Sequence, residues 1–239
     1  MSEARVIIGL SAAIVAVTED GPYVVVTRDG GDAAGLPFGR FDPAGDRTLE
    51  LSLRGWVKEQ TGFDIGYAEQ LYTFGDRGRE MPMADMKSAG AERVISISYL
   101  ALTPTRAHLD RATARWRPWY DFFPWEDWRH GRPQVIDQLI APKLRRWSSA
   151  SPDAELAGQR RTRARLAFAL DGAVWNEERA LERYELMYEA GLAPETARDL
   201  ARLQGKATPP MAPEPGLGEP MISDHRRILA TAIGRLRAK

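Results

Sequence analysis

The stretch that most constrains the fold is residues 36–62, LPFGRFDPAGDRTLELSLRGWVKEQTG, which reads as a loop, a helix and a glycine stop. Pro43 and Gly45 punctuate the loop. Thr48 precedes leucines at helical spacing and is suited to cap the helix N-terminus. Gly62 is the residue type that ends helices in a left-handed conformation. The stretch therefore predicts a helix between Thr48 and Gly62.

The rest of the first hundred residues is typical of a sheet. Residues 5–17 form a nearly continuous apolar run rich in β-branched side chains, which predicts a buried strand. Residues 23–27, 65–74 and 93–102 predict three more strands. Because these strands flank one helix, we expect an α/β sandwich, followed by a mainly helical extension.

Composition excludes several classes of function. The 239 residues carry 33 basic and 33 acidic side chains, so the zero net charge gives no general attraction to nucleic acid or membrane. The chain has no cysteine, which excludes disulfides, thiolate metal sites and a cysteine nucleophile. The first residues show no signal-peptide pattern, and no apolar run reaches membrane length. We therefore expect a cytoplasmic protein with no membrane partner.

The loop–helix stretch resembles the Nudix box of hydrolases that act on nucleoside diphosphates linked to another group. When the pattern is anchored on Gly62, Glu59 falls on one of its helix carboxylates. Gln60 falls where the second carboxylate belongs, and Trp56 falls where another glutamate belongs. The spacing of these three residues places them on one helical face. The resemblance therefore implies a Nudix-like α/β/α sandwich with a mixed sheet, in which the box has lost most of its carboxylates.

The chemistry of that face decides between binding and hydrolysis. In an active enzyme it gathers carboxylates around Mg²⁺, a cation that prefers oxygen ligands. An indole offers only an N–H donor and cannot ligate the metal. We therefore expect no metal site, no required cofactor and no catalytic residue, with Glu59 as the residual catalytic candidate. The alternative is an active hydrolase in which Asp42, Asp46 or Glu50 completes a Mg²⁺ site.

A second stretch sharpens the resemblance. Residues 70–75 read QLYTFG, Arg77 and Arg79 follow in a long polar loop, and the next predicted strand contains YLAL at 99–102. This arrangement resembles Nudix-related transcriptional regulators of NAD metabolism. The resemblance implies a domain that senses ADP-ribose or a related adenine nucleotide such as NAD or ATP, usually without hydrolysing it. It also implies a homodimer and a winged-helix domain that binds operator DNA.

The candidate ligand residues follow from the chemistry of a nucleoside diphosphate. Arginine forks bind a diphosphate with paired hydrogen bonds, and an aromatic ring offers adenine a stacking surface. For any single arginine the competing interpretation is a solvated loop residue, and for the two aromatic residues it is strand core. The predicted ligand-binding residues are Arg40, Asp42, Glu59, Gln60, Tyr72, Phe74, Arg77, Arg79 and Arg93.

The second half of the chain has an unusual composition. Residues 116–147 hold five of the seven tryptophans among arginines, a pattern that favours an aromatic cover over a core edge or interface and, less strongly, single-stranded nucleic acid. Residues 134–147 have an apolar helical pattern that Pro142 interrupts. Four arginines between positions 160 and 165 could contact DNA phosphates, although a solvated face is the competing interpretation.

Four segments are predicted along the chain. Residues 1–147 form the ligand-sensing domain, with a connector at 148–158 at the start of a helical extension over 148–205. Residues 206–220 are rich in proline and glycine and predict a linker. Residues 221–239 form a helix, capped by Ser223, that resembles the one closing the sensor domain in these regulators. The winged helix is expected beyond that helix.

Three functions follow, and they differ in class. The favoured one is an effector-sensing domain of a regulator of NAD biosynthesis or use, with an adenine nucleotide and operator DNA as partners. The alternative is an active Nudix hydrolase that cleaves a substrate such as ADP-ribose. A weaker third hypothesis is a protein-interaction module that uses the sheet as a scaffold.

Overall fold

The computed structural model describes residues 6–28, 33–79 and 93–238. Six strands form one mixed sheet: β1 (Val6–Thr18), β2 (Gly21–Thr27), β3 (Phe38–Arg40), β4 (Ala68–Phe74), β5 (Arg93–Thr103) and β6 (Ala114–Pro118). The sequence also predicts a glycine-rich loop at 29–35, and parts of this loop and of the polar loop after β4, at 29–32 and 80–92, lie outside the described residues. The strands predicted at 5–17, 23–27, 65–74 and 93–102 correspond to β1, β2, β4 and β5.

The sheet has the order β4-β5-β1-β2-β6, and β3 also pairs with β1. β1 and β5 are parallel over eleven residue pairs, from Val6↔Arg93 to Ala16↔Thr103, whereas every other pairing is antiparallel. β1 is nearly all buried because helices cover both faces of the sheet, which explains its continuous apolar run. The predicted α/β architecture with a mixed sheet is confirmed.

The box helix α1 (Leu49–Thr61) covers one face, and its ends are as predicted. The Thr48 side chain accepts a hydrogen bond from the Leu51 N–H, and Gly62 closes the helix at φ 73°. Leu53 and Val57 are fully buried and pack with Leu10, Ile14 and other residues of the sheet. Burying a leucine or valine side chain contributes roughly 1.5–3 kcal/mol, so this apolar stripe fixes the position of α1.

The opposite face carries the helical extension. Five helices follow the sheet: α2 (Ala141–Ser149), α3 (Ala154–Phe168), α4 (Ala180–Glu189), α5 (Pro194–Leu203) and α6 (His225–Arg237). One continuous hydrophobic cluster joins sheet residues such as Val15 and Val26 to Phe168 of α3, Tyr184 of α4 and Ile228 of α6. The extension therefore shares a core with the sheet. No helix of the described residues is long and apolar enough to cross a membrane.

The tryptophan-rich segment packs mainly inward. Trp119, Phe122, Phe123 and Trp125 are buried in the shared cluster. β6, which the sequence did not predict, lies at the start of this segment and pairs with β2. The interpretation of these aromatics as cover over a core edge agrees with their burial.

Several predicted boundaries in the extension differ from the structure. The connector predicted at 148–158 is shorter, because α2 runs to Ser149 and α3 begins at Ala154. Pro142 does not break its helix: a π-turn at Ile136–Ile140 precedes it, and the register change accommodates a residue without an N–H. The segment at 206–220 is anchored at its end, where Leu217 is fully buried.

The start of the final helix also differs from the prediction. Ser223 has φ 50° and is not the N-cap; Asp224 holds that position, with no side-chain cap hydrogen bond. The Ser223 hydroxyl instead donates to Asp224 Oδ1 over 3.2 Å. The helix itself, predicted as the element that closes the sensor domain, packs across β1 and β4 and against α4.

Candidate functional site

The box face of α1 is bonded to β3. Trp56 Nε1 donates to the Arg40 carbonyl over 3.0 Å. The Gln60 amide bonds the Phe38 backbone twice: its oxygen accepts from Phe38 N over 3.1 Å, and its nitrogen donates to Phe38 O over 2.5 Å. A Cβ built at Gly39 would lie 2.1 Å from Trp56 Cδ2 and Cε2, so the indole occupies the space above that glycine. Both side chains therefore hold β3 against the helix.

The acidic groups near the box face make mainly local contacts. Glu59 is exposed at the same end of α1, and its backbone carbonyl accepts from Arg111 Nε. Asp42 and Asp46 belong to a local turn: Asp46 Oδ2 accepts from Asp42 N and from the Ser52 hydroxyl, which lowers the pKa of Asp46. Among the described residues, no three His, Cys, Asp or Glu side chains group as metal ligands. This donor set does not fit the divalent cation of a Nudix hydrolase.

A second group of candidates lies on the opposite face of the sheet. Phe38 packs its ring edge-on against His225 of α6 at 5.0 Å, and Arg40, two residues on, shares that face. In register across the sheet, Arg40 pairs with Gly9, Gly9 with Ser96, and Ser96 with Phe74. Three strand spacings separate Arg40 from Phe74, which is about 14 Å. These four residues form one row across the sheet, with the cation Arg40 at one end and the aromatic ring of Phe74 at the other.

The β4 end of this row is aromatic and accessible. Tyr72 is 54% exposed, and its ring centroid lies 4.7 Å from that of the buried Phe74. Arg227 of α6 sits over Phe74 at 4.3 Å. Arg93 donates to the Gly75 carbonyl, and Arg77 is exposed just beyond the strand. These residues bring a stacking surface and cationic groups to one edge of the sheet.

Arg79 has a different environment from the other predicted arginines. Its guanidinium bonds both carboxylate oxygens of Glu185 on α4, over 2.9 and 3.2 Å, and lies 3.8 Å from the centre of the Tyr188 ring. With its side chain only 11% exposed, Arg79 joins the loop after β4 to the helical extension. Glu59 and Gln60 lie on α1, across the sheet from Tyr72 and Phe74. The structure therefore does not gather the nine predicted residues into one site.

Sequence reasoning missed His225, which organises the base of the row. The ring is fully buried, and its Nδ1 accepts from Leu36 N over 3.0 Å while Nε2 lies 3.5 Å from the Ser11 hydroxyl. Burial, with the charge of Arg198, lowers the pKa of His225 to about 3, so the ring is neutral. Because Nδ1 accepts, the ring proton is on Nε2, and His225 cannot act there as a base toward Ser11.

Asp224 lies beside His225 beneath the same row. Its carboxylate accepts from the Ser96 hydroxyl over 3.4 Å, and burial raises its pKa. Ser96, Asp224 and His225 therefore form a buried polar layer between the sheet and the start of α6. This layer fixes the position of the row. The hydrogen bonds of the layer join groups within the protein.

The chain is similar to several solved Nudix structures. The NUDIX domain of Shewanella oneidensis NrtR, complexed with ADP ribose, matches with a TM-score of 0.41 and 21% identity, over 59% of this chain and 90% of that one. NrtR of the same organism with a 27mer DNA matches with a TM-score of 0.39 and 17% identity, over 77% and 84%. A MutT/nudix family protein from Enterococcus faecalis matches with a TM-score of 0.37 and 21% identity, over 48% and 45%.

No protein-family model and no curated protein matches the chain.

Proposed function

We propose that this chain is the effector-sensing domain of a transcriptional regulator of NAD metabolism and binds ADP-ribose or a related adenine nucleotide without hydrolysing it. The observation that carries the proposal is the state of the box face. Trp56 and Gln60 bond to β3 where an active enzyme places metal-binding carboxylates. This arrangement supports binding rather than hydrolysis.

The β4 end of the row, with Tyr72, Arg77 and Arg93 exposed, is the proposed ligand site, because Gly9 and Ser96 in the middle of the row are buried. Tyr72 offers a half-exposed ring for adenine. Arg40, exposed at the other side of the row and about 14 Å from Phe74, is the candidate cation for the far end of the ligand. Arg77 and Arg93 supply further donors for a diphosphate near the aromatic ring. Arg79 acts indirectly by holding the loop to α4. The sequence resemblance supports the ligand class, and the placement of these side chains at one edge of the sheet supports the proposed contacts.

Signalling would follow from a shift in population. A nucleotide that binds one arrangement of the regulator more tightly than another changes DNA affinity by that difference. The row adjoins α6, which packs on both the sheet and the helical extension. Ligand contacts at Phe74 and Arg227 would therefore act on the element that joins the two parts. A homodimer reading paired half-sites is part of the same proposal.

Calorimetry on the intact chain tests the proposal. The panel contains ADP-ribose, NAD, NADH, ATP, ADP and nicotinamide mononucleotide, with and without Mg²⁺, and each sample is then checked for cleavage by chromatography. We expect one ligand to bind at micromolar concentration, about −8 kcal/mol, with no product. Turnover that Glu59→Gln abolishes would overturn the proposal in favour of a hydrolase. The absence of binding by every nucleotide would also overturn it.

A matched pair of tyrosines locates the site. Tyr72→Ala should weaken binding by roughly 5- to 150-fold, because stacking of a base on an aromatic ring is worth about 1–3 kcal/mol. Tyr67 is 80% exposed just before β4, and Tyr67→Ala should leave affinity unchanged. Equal losses in the two variants would place the ligand elsewhere.

A further inference from the structure

A small cavity of about 330 Å³ lies between α2 and α3, far along the chain from the proposed nucleotide row. Arg145 lines it from α2, and Arg161 and Arg165 line it from α3. The two α3 arginines are four residues apart and therefore share a helical face. Ser149 and Thr162 add hydroxyl groups to the lining. Arginine and hydroxyl donors converging on one cavity match the hydrogen-bonding needs of a phosphate group.

The cavity lies in the most basic part of the chain. Residues 141–168 contain seven basic and two acidic side chains, although the whole chain is neutral. Lys143 and Arg163 are neutralised by Glu214 and Glu189 at 2.8 and 2.6 Å. Within the described part of the chain, Arg161 and Arg165 have no hydrogen-bonded or ionic partner for their side chains. Their positive charge is therefore available at the surface.

Among the described residues, Asp171 is the one acidic residue that lines the cavity, and its backbone is strained. It has φ 50°, next to Gly172 at φ 79° and near Ala169 at φ 48°. Left-handed backbone at residues other than glycine costs on the order of 1–3 kcal/mol each and is often found at functional sites. Asp171 accepts from Arg145 over 3.0 Å, and the two side chains are 64% and 58% exposed. An ion pair this exposed is weak, so another anion can replace the Asp171 carboxylate at Arg145.

We propose that α2 and α3 form a phosphate-binding surface for the backbone of duplex nucleic acid, in which Asp171 competes with a phosphate for Arg145. The basic segment extends along both helices, beyond a cavity that is open and lined mainly by exposed residues. An extended polyanion uses all of that surface, whereas a single nucleotide would use only the cavity. The contacts are to phosphate and carry no base specificity. This inference does not depend on the effector proposed above.

Fluorescence anisotropy with a labelled 24-base-pair duplex of mixed sequence tests the surface. Affinity is measured between 50 and 200 mM KCl. Three to four neutralised phosphates predict a slope of about −3 for log K against log salt. Arg161→Ala with Arg165→Ala should reduce the slope by about two and weaken binding at least tenfold at 50 mM. Asp171→Asn should strengthen binding, by up to about fivefold, since it removes the competing carboxylate.

Two control experiments distinguish binding at this surface from a general effect of positive charge. The double variant Arg47→Ala with Arg115→Ala removes the same charge from exposed positions in the α1 loop and in β6, and it should bind like the unmodified chain. Equal weakening in both double variants would overturn the proposal. Inorganic pyrophosphate and ATP form the second arm. Tight binding of either one through Arg161 and Arg165, without duplex binding, would show that the phosphate comes from a free metabolite and would also overturn it.

Discussion

Replacing Gly39 with alanine tests whether Trp56 is fixed over β3. The added Cβ would lie 2.1 Å from two indole atoms and 2.3 Å from a third. The indole cannot yield by a simple rotation, because Nε1 is bonded to the Arg40 carbonyl. Overpacking costs about 1–3 kcal/mol, and loss of the hydrogen bond adds about 1 kcal/mol. We therefore expect Gly39→Ala to lower the free energy of unfolding by about 2–4 kcal/mol.

Urea unfolding followed by circular dichroism measures this change. With an m-value of about 2–3 kcal/mol/M, the midpoint should fall by about 1 M. Gly55→Ala is the matched control: the same substitution lies in α1, where nothing stands within 4 Å of the added Cβ. Because alanine is the better helix former, Gly55→Ala should stabilise the protein by up to about 1 kcal/mol.

A double-mutant cycle identifies the cause. Trp56→Ala removes the ring that the new methyl group would strike, so Gly39→Ala should cost little in that background. The expected coupling between the two substitutions is about 1–3 kcal/mol. Additive losses would show that the indole does not occupy the space above Gly39, and the structural account of the closed box face would then be wrong.

Two further predictions concern buried charges. Glu126→Gln should destabilise the protein by about 3–5 kcal/mol in the same urea experiment. The reason is that Glu126 is fully buried and accepts hydrogen bonds from the fully buried Arg183 over 2.5 and 2.9 Å. The control is Glu182→Gln, at an exposed ion pair, which should cost under about 1 kcal/mol. The pKa of His225 is about 3 in the folded chain, whereas the ordinary value is 6.5. Between these two pH values unfolding therefore takes up a proton, so the free energy of unfolding decreases as the pH is lowered. The loss from this group between pH 7.5 and pH 5 is about 2 kcal/mol. His225→Asn keeps an acceptor for the Leu36 N–H and should flatten that dependence, and an unchanged pH profile would contradict the assignment.

Local signals in the sequence predicted the elements that depend on local interactions. Thr48 and Gly62 set the two ends of α1 through short-range hydrogen bonds and backbone geometry, which residue type alone indicates. β6 was missed because ARWRP, although it alternates apolar residues with arginines, is only five residues long and ends at a proline. That strand forms because β2 offers it a free edge, and such pairing cannot be read from five residues.

The same distinction applies to the candidate site. The box residues and the β4 residues were predicted from one family resemblance, but they lie on opposite faces of the sheet. A bulge between Gln70 and Tyr72 sets the register of β4 against β5, which places Tyr72 opposite Ser98 and Phe74 opposite Ser96, and nothing in the residues QLYTF indicates it. Nothing in the sequence marks Arg183 and Arg226 as buried residues. Their burial depends on acceptors such as Glu126 and the Phe122 carbonyl, 57 and 104 residues away.

The contacts of His225 also determine when the chain can fold. This residue bonds Leu36 and lies beside Ser11, which precede it by 189 and 214 residues. At a synthesis rate of about 5–20 residues per second, the ribosome makes β1 some 10–40 s before it reaches α6. Until then, one apolar face of the sheet, including Val15 and Leu100, lacks its final cover. The core therefore cannot be completed before α6 has been synthesised, and until then the nascent chain is a natural client for chaperones that bind exposed apolar strands.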